Sequence, residues 1–263
     1  MDLLFEPMFR VPFVTGLLLA LLVPVIGVLA RLRDEWLAAL GFAHLAGAGG
    51  ALGSALSLPV LPAALGLAML GVIARALWRR QGNDLYALLI LAGWATMMLT
   101  AAVSRHASTL GQMLVDGQLY FVRPPHLVAA AVLLGVSVPL LPRLMRLLLR
   151  LTLLPHQDQA NGIRVQRYLL LFNLILAISV ALSAITLGVM TAFALLYLPA
   201  WIAYGLARSW RTTWMLAAGI GVAAYLVAFV AALLIDLPFG PVMVATLCLS
   251  ACLRFLPGVA VRL

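Results

Sequence analysis

A chain of 263 residues that is 65% hydrophobic and only 10% charged, with a mean hydropathy of +1.13, holds too little polar surface to cover a water-soluble globule. Soluble domains run at about half apolar and a quarter charged, so the composition predicts an integral membrane protein. The net charge of +9 would suggest nucleic acid in a soluble chain, but every basic residue is Arg and none is Lys. Where those arginines fall makes them topology signals, and no nucleic-acid partner is expected.

In chain order, Asp2 and Glu6 stand where a signal peptide would carry positive charge, so the first apolar run reads as a permanent span. A helix crossing about 30 Å of hydrocarbon needs roughly 20 apolar residues. Apolar runs separated by charges or turn residues predict about nine such helices, at 11–30, 36–55, 58–78, 85–104, 126–144, 168–187, 189–207, 214–235 and 241–255. The fold class is therefore all-α and polytopic. No connection is long enough for a soluble domain, and residues 1–263 form a single membrane domain.

Short cytoplasmic loops retain arginine and translocated ones lose it. With the N-terminus outside and the C-terminus inside, the cytoplasmic set holds 14 arginines: residues 31, 33, 75, 79, 80, 143, 146, 150, 164, 167, 208, 211, 254 and 262. The outer set holds Arg10, Arg105 and Arg123. Fourteen against three decides for that orientation.

Two longer interruptions are expected to carry function. The outer segment 105–125 contains His106 and Asp116 and adjoins His126, so a cation arriving from outside could meet these three. The inner segment 143–167 is strongly basic and is expected to meet a cytoplasmic partner. All eight carboxylates fall in predicted loops or at span ends. That argues against an ion-coupled transporter, which needs buried carboxylates. It also leaves no paired acids or Ser–His–Asp set for hydrolysis, so no catalytic residue is expected. His44, midway in the second span, is the exception at depth. Imidazole is the commonest ligand for zinc and related metals, while a neutral His can equally serve one packing hydrogen bond. Gly49 and Gly53 follow it in a GxxxG spacing that permits close helix approach at a bundle interior or dimer axis. Cys248 and Cys252, four apart in an apolar run, read as small core residues.

Three segments carry a resemblance. Residues 155–167, PHQDQANGIRVQR, look like the cytoplasmic S-P-x-x-A-x-x-x-G element of the permease subunits of bacterial ABC importers for zinc, manganese and iron. Residues 187–200, LGVMTAFALLYLPA, resemble that family's G-x-L-L-x-x-x-L-L-x-x-P-A helix, and residues 236–241, DLPFGP, its D-x-P-x-G-P turn. The resemblance implies a multi-pass bacterial inner-membrane permease without an ATPase motif of its own, hence not itself an enzyme. Its implied partners are a cytoplasmic ABC ATPase that binds the ATP, a periplasmic or extracellular metal-binding protein, a second copy in a homodimer, and the lipid bilayer. It implies no permanently bound cofactor, a transported Zn, Mn or Fe ion, and ATPase coupling through Pro155, His156, Asp158, Ala160, Gly162 and Arg164. In the outer turn, Asp236 is expected to accept backbone N–H bonds while Pro238, Gly240 and Pro241 set the reversal.

The family's second span pairs an Asp with the His four residues later, both reaching one cation. Here the His is His44, and the position four before it is Leu40. The metal site therefore carries over through His44 alone, with zinc favoured because imidazole without a carboxylate suits it better than manganese. A metal chelate or other small cargo, and a membrane scaffold without transport activity, are the competing readings.

Overall fold

The computed structural model describes residues 7–78, 83–104, 119–154 and 165–255. Within them the chain forms nine α-helices: α1 (Pro7–Leu32), α2 (Leu37–Ala55), α3 (Val60–Leu77), α4 (Asp84–Val103), α5 (Pro124–Leu153), α6 (Val165–Leu187), α7 (Val189–Leu206), α8 (Trp210–Ile235) and α9 (Phe239–Ala251). The first eight are each long and apolar enough to cross a membrane. The ninth has 13 residues and continues as a 3-10 turn, Cys252–Phe255. Together the two reach about 27 Å, close to the hydrocarbon thickness.

The helices are apolar on all sides because one face meets protein and the other meets lipid. What differs between the faces is size. α2 is buried along nearly its whole length and is mostly Ala and Gly, whereas α3 and α4 turn Leu70, Ile73, Leu77, Leu88, Leu91 and Trp94 outward. Small residues let backbones approach where no water-driven collapse acts between helices. Gly49 and Gly53 show this: a Cβ on Gly49 would meet the Ala63 carbonyl oxygen at 2.5 Å, and one on Gly53 the Ala63 Cβ at 2.7 Å. The GxxxG pair thus packs α2 against α3 of the same chain. α2 also packs on α4, α6 and α7, and α1 on α5, α7 and α8.

Several buried hydroxyls are satisfied within their own helices, which suits a hydrocarbon setting. Ser179, Ser183 and Thr186 each donate to the carbonyl four residues back, at 2.6, 2.8 and 2.8 Å. The α6–α7 break needs a single residue, Gly188 at φ 100°, a left-handed conformation that glycine adopts without steric cost.

Three expectations are corrected. α5 does not end at 144 but runs to Leu153. At about 45 Å it outruns the bilayer, and its last turns are amphipathic, with Arg143, Arg146 and Arg150 exposed and Leu144, Leu147 and Leu148 buried. The arginines ended the apolar run without ending the helix. Cys248 on α9 and Cys252 at the start of the 3-10 turn are exposed rather than in the core, because α9 buries its other face, including Met243 and Leu247. The Asp236 carboxylate is exposed and caps nothing among the described residues. The reversal comes instead from its backbone, at φ 55° and ψ 47°, a left-handed geometry that Asp tolerates better than most residues.

The helical hairpins sort the described charges by end. Arg33, Arg75 and Glu35 meet at one end, where Arg254 also donates to the Trp201 carbonyl at 2.9 Å. Tyr120 lies at the other end, edge-on to Phe9 at 5.8 Å.

Candidate functional site

α2 places His44 inside the bundle, 9% exposed. Its Nδ1 lies 2.9 Å from the carbonyl oxygen of Leu40. A carbonyl can only accept, so Nδ1 carries the hydrogen and the lone pair is left on Nε2, the state in which an imidazole ligates a metal. Nε2 has no hydrogen-bond partner among the described residues. Leu40, which stands where the family has its Asp, therefore serves the imidazole through its backbone.

Gly93 of α4 makes room for this arrangement. A Cβ there would fall 2.7 Å from the His44 carbonyl carbon and 2.9 Å from its Cβ. One turn further along, a Cβ on Gly47 would lie 3.1 Å from Met97 Sδ of α4 and 3.5 Å from Val189 Cγ2 of α7. Gly41, His44 and Gly47 thus face α4, while Gly47 and Trp36 face α7, since Trp36 and Tyr197 place their ring centroids 5.6 Å apart. At 100° per residue these contacts set His44 in the seam between α4 and α7. Gly93→Ala is expected to push α4 away from α2, costing about 1–3 kcal/mol and lowering uptake of cargo. Thermal stability of the purified protein together with uptake by vesicles checks this.

No three His, Cys, Asp or Glu side chains converge among the described residues. His126 is spent locally: the Arg123 backbone N–H approaches its Nδ1 at 3.4 Å, at the start of α5. His106 and Asp116 lie outside the described residues, as do Pro155, His156, Asp158, Ala160, Gly162 and Arg164. Of the turn residues, Gly240 is tied to α7 by the Thr191 hydroxyl, 3.3 Å from its carbonyl oxygen. Pro238 precedes α9, and Pro241 lies in its first turn. Burial, and then the negative charge of Asp236, push the Tyr120 phenol up.

A second polar site escaped sequence reasoning. Glu35, taken as a membrane-edge acid, is 5% exposed. Arg33 donates to both of its oxygens, at 2.7 and 3.2 Å, and Arg75 of α3 donates to Oε1 at 2.8 Å. The Arg75 Nε in turn donates to the Tyr86 hydroxyl of α4 at 3.1 Å, and the Arg33 guanidinium lies 5.7 Å from the Phe172 ring of α6. Burial alone would raise the Glu35 carboxyl, but the bonds and charges of Arg33 and Arg75 outweigh it and hold the group below its ordinary 4.5. The α1–α2 turn is thereby clamped to α3, α4 and α6. The cues, Arg33 and Arg75, were visible in the sequence, but nothing there said that residue 75 folds back onto residue 35.

The chain is similar in fold to PsaBC from Streptococcus pneumoniae, solved in complex with Fab, with a TM-score of 0.82 at 17% identity over 97% of this chain and 94% of that one. It is also similar to an ABC transporter described as of metal-chelate type and solved in an inward-facing conformation, with a TM-score of 0.66 at 16% identity over 93% and 84%. A search of curated proteins finds no significant match. Residues 5–257 match the family model described as the ABC 3 transport family. With eight helices among the described residues long and apolar enough to cross a membrane, the ABC permease fold and a match over nearly the whole length, the chain belongs to the ABC 3 transport family, as a multi-pass permease subunit of the bacterial inner membrane.

Proposed function

We propose that this permease imports a divalent transition-metal ion, zinc before manganese or iron, as a homodimer driven by a separate cytoplasmic ATPase and fed by an extracytoplasmic binding protein. The observation that carries the reading is His44: a buried imidazole whose Nδ1 is held by the Leu40 carbonyl, leaving Nε2 to ligate. A neutral nitrogen ligand without a carboxylate suits zinc better than manganese, which prefers oxygen. Glu35 begins the same helix region about 13 Å away along the axis and is already engaged by two arginines. The arginine-rich end is the cytoplasmic one, by the retention rule for short loops. There the ATPase docks through residues 155–164 and the basic α5 extension.

One ligand cannot hold an ion tightly, and this favours a route that passes a weakly held ion over a storage site. It also supports a second reading, in which the cargo is a metal chelate that brings its own ligands. Proteoliposomes containing the permease, its ATPase and its binding protein distinguish the two. ATP-driven accumulation of free Zn²⁺ exceeding that of Mn²⁺ and Fe²⁺ is the expected result. Uptake of chelated metal alone would move the assignment to the chelate, and absence of any metal uptake would overturn both.

A further inference from the structure

The seam that holds His44 continues toward the arginine-rich end as a column of aromatic rings. α2 and α7 run antiparallel, and two contacts fix their register: Trp36 against Tyr197, and Gly47 beside Val189. Between these levels Phe193 falls opposite the stretch from Leu40 to His44. The Phe193 and Tyr197 rings stack at 5.7 Å with an 8° interplanar angle. Trp36, Phe193 and Tyr197 are all half-buried, as is Leu40 between them. Below them opens a cleft of about 490 Å³ lined by Arg31, Leu32, Asp34, Trp36, Tyr197 and Tyr204.

Both ends of this column are held in place. Trp36 follows Glu35, which two arginines clamp. At the floor of the cleft, Tyr204 donates to the Val28 carbonyl at 3.1 Å, and the Arg31 guanidinium lies 5.6 Å from its ring. From His44 the distance down α2 to Trp36 is about 12 Å, and the rings occupy that interval. We propose that Trp36, Phe193 and Tyr197 form the inner gate of the cargo route, closing the seam beneath His44 and opening into the cleft where Asp34 is the first carboxylate a departing cation meets. The inference rests on the reading of His44 as a cargo ligand.

Aromatic rings suit that task for two reasons. Packed together they form an apolar constriction that excludes water and hydrated ions. When they part, their faces attract a cation without ligating it, so the ion is not trapped on its way out. Phe193 and Tyr197 share one face of α7, so a modest rotation of α7 against α2 would separate Tyr197 from Trp36.

The test uses the permease with its ATPase and its binding protein in proteoliposomes loaded with a zinc-sensitive dye, with Zn²⁺ alone as the probe. Trp36→Ala and Tyr197→Ala are expected to raise ATP-independent Zn²⁺ entry at least tenfold over the parent, whereas Trp36→Phe and Tyr197→Phe stay tight. Alanine variants as tight as the parent, with unchanged ATP-driven uptake, would overturn the gate. Should the alanine variants not fold, Trp36→Cys with Tyr197→Cys, in a background of Cys248→Ser and Cys252→Ser, gives a second readout. Cross-linking the pair should stop uptake and reductant should restore it, and undiminished uptake by the cross-linked protein would also overturn the gate. A parent that accumulates no metal under ATP would instead sink the underlying function, an outcome distinct from a parent that transports while its variants remain tight.

Discussion

Replacing His44 with alanine is expected to lower ATP-driven Zn²⁺ uptake by the reconstituted transporter at least about tenfold, the lower bound for damage to a metal ligand shell. Basal ATP hydrolysis, carried by the partner subunit, should stay within about twofold. The expectation follows from the tautomer: the Leu40 carbonyl holds the hydrogen on Nδ1, so Nε2 is the atom that meets the ion, and the variant removes it. Among the described residues no cluster of His, Cys, Asp or Glu stands ready to replace it. Gly93 has no side chain, and the Glu35 carboxylate is bound by Arg33 and Arg75. His44→Gln, which fills similar volume but is a poor zinc ligand, should fail equally, and this separates ligation from packing. Uptake by either variant at the parent's rate would remove His44 from the route.

The largest effect on stability is expected at Glu35. Removing one partner of a buried ion pair costs about 3–5 kcal/mol, because the remaining charge is stranded away from water. Glu35→Ala strands two guanidiniums at once, so a fall of about 10 °C in thermal midpoint is expected in detergent. Arg75→Met should cost less, since Arg33 still engages both carboxylate oxygens. Equal losses for the two variants would show that Arg75, not Glu35, holds the junction. The pH dependence has a definite sign. The folded carboxyl lies below its ordinary 4.5, so its contribution is complete above that value and is lost as pH falls through the lower folded value. The gap in thermal midpoint between parent and Glu35→Gln should therefore hold steady at neutral pH and narrow only below about pH 4.5.

The sequence and the structure agree most closely on the helices. Every predicted span has its helix, and the boundary missed by the widest margin, the end of α5, was misplaced because arginine marks the edge of the hydrocarbon and not the end of hydrogen-bonded backbone. Leu-rich turns carrying Arg143, Arg146 and Arg150 on one face continue the helix into a polar medium. Cys248 and Cys252 show a different limit. An apolar run carries no mark of which side meets protein and which meets lipid, because both are apolar, so two small exposed residues of α9 and the turn after it read as core.

His44 could be singled out from sequence because a lone ionisable group among apolar neighbours is costly wherever it sits in the membrane. Its setting could not. The GxxxG spacing fitted a dimer axis as well as a bundle interior, and only the approach of Ala63 to Gly49 and Gly53 assigns that face to α3.

By itself, then, the sequence determined an all-helical membrane chain, the sorting of its arginines, the family resemblance and the one imidazole at depth. These are properties of apolar length and local charge, which can be counted along a line. The tertiary structure alone decided that Leu40 presents its backbone to His44, that Glu35 is shared by arginines two and 40 residues away, and that Trp36 meets Tyr197. Those depend on the rotation of each helix about its axis and on which helices pack together, and in a chain apolar on every face no periodicity records either.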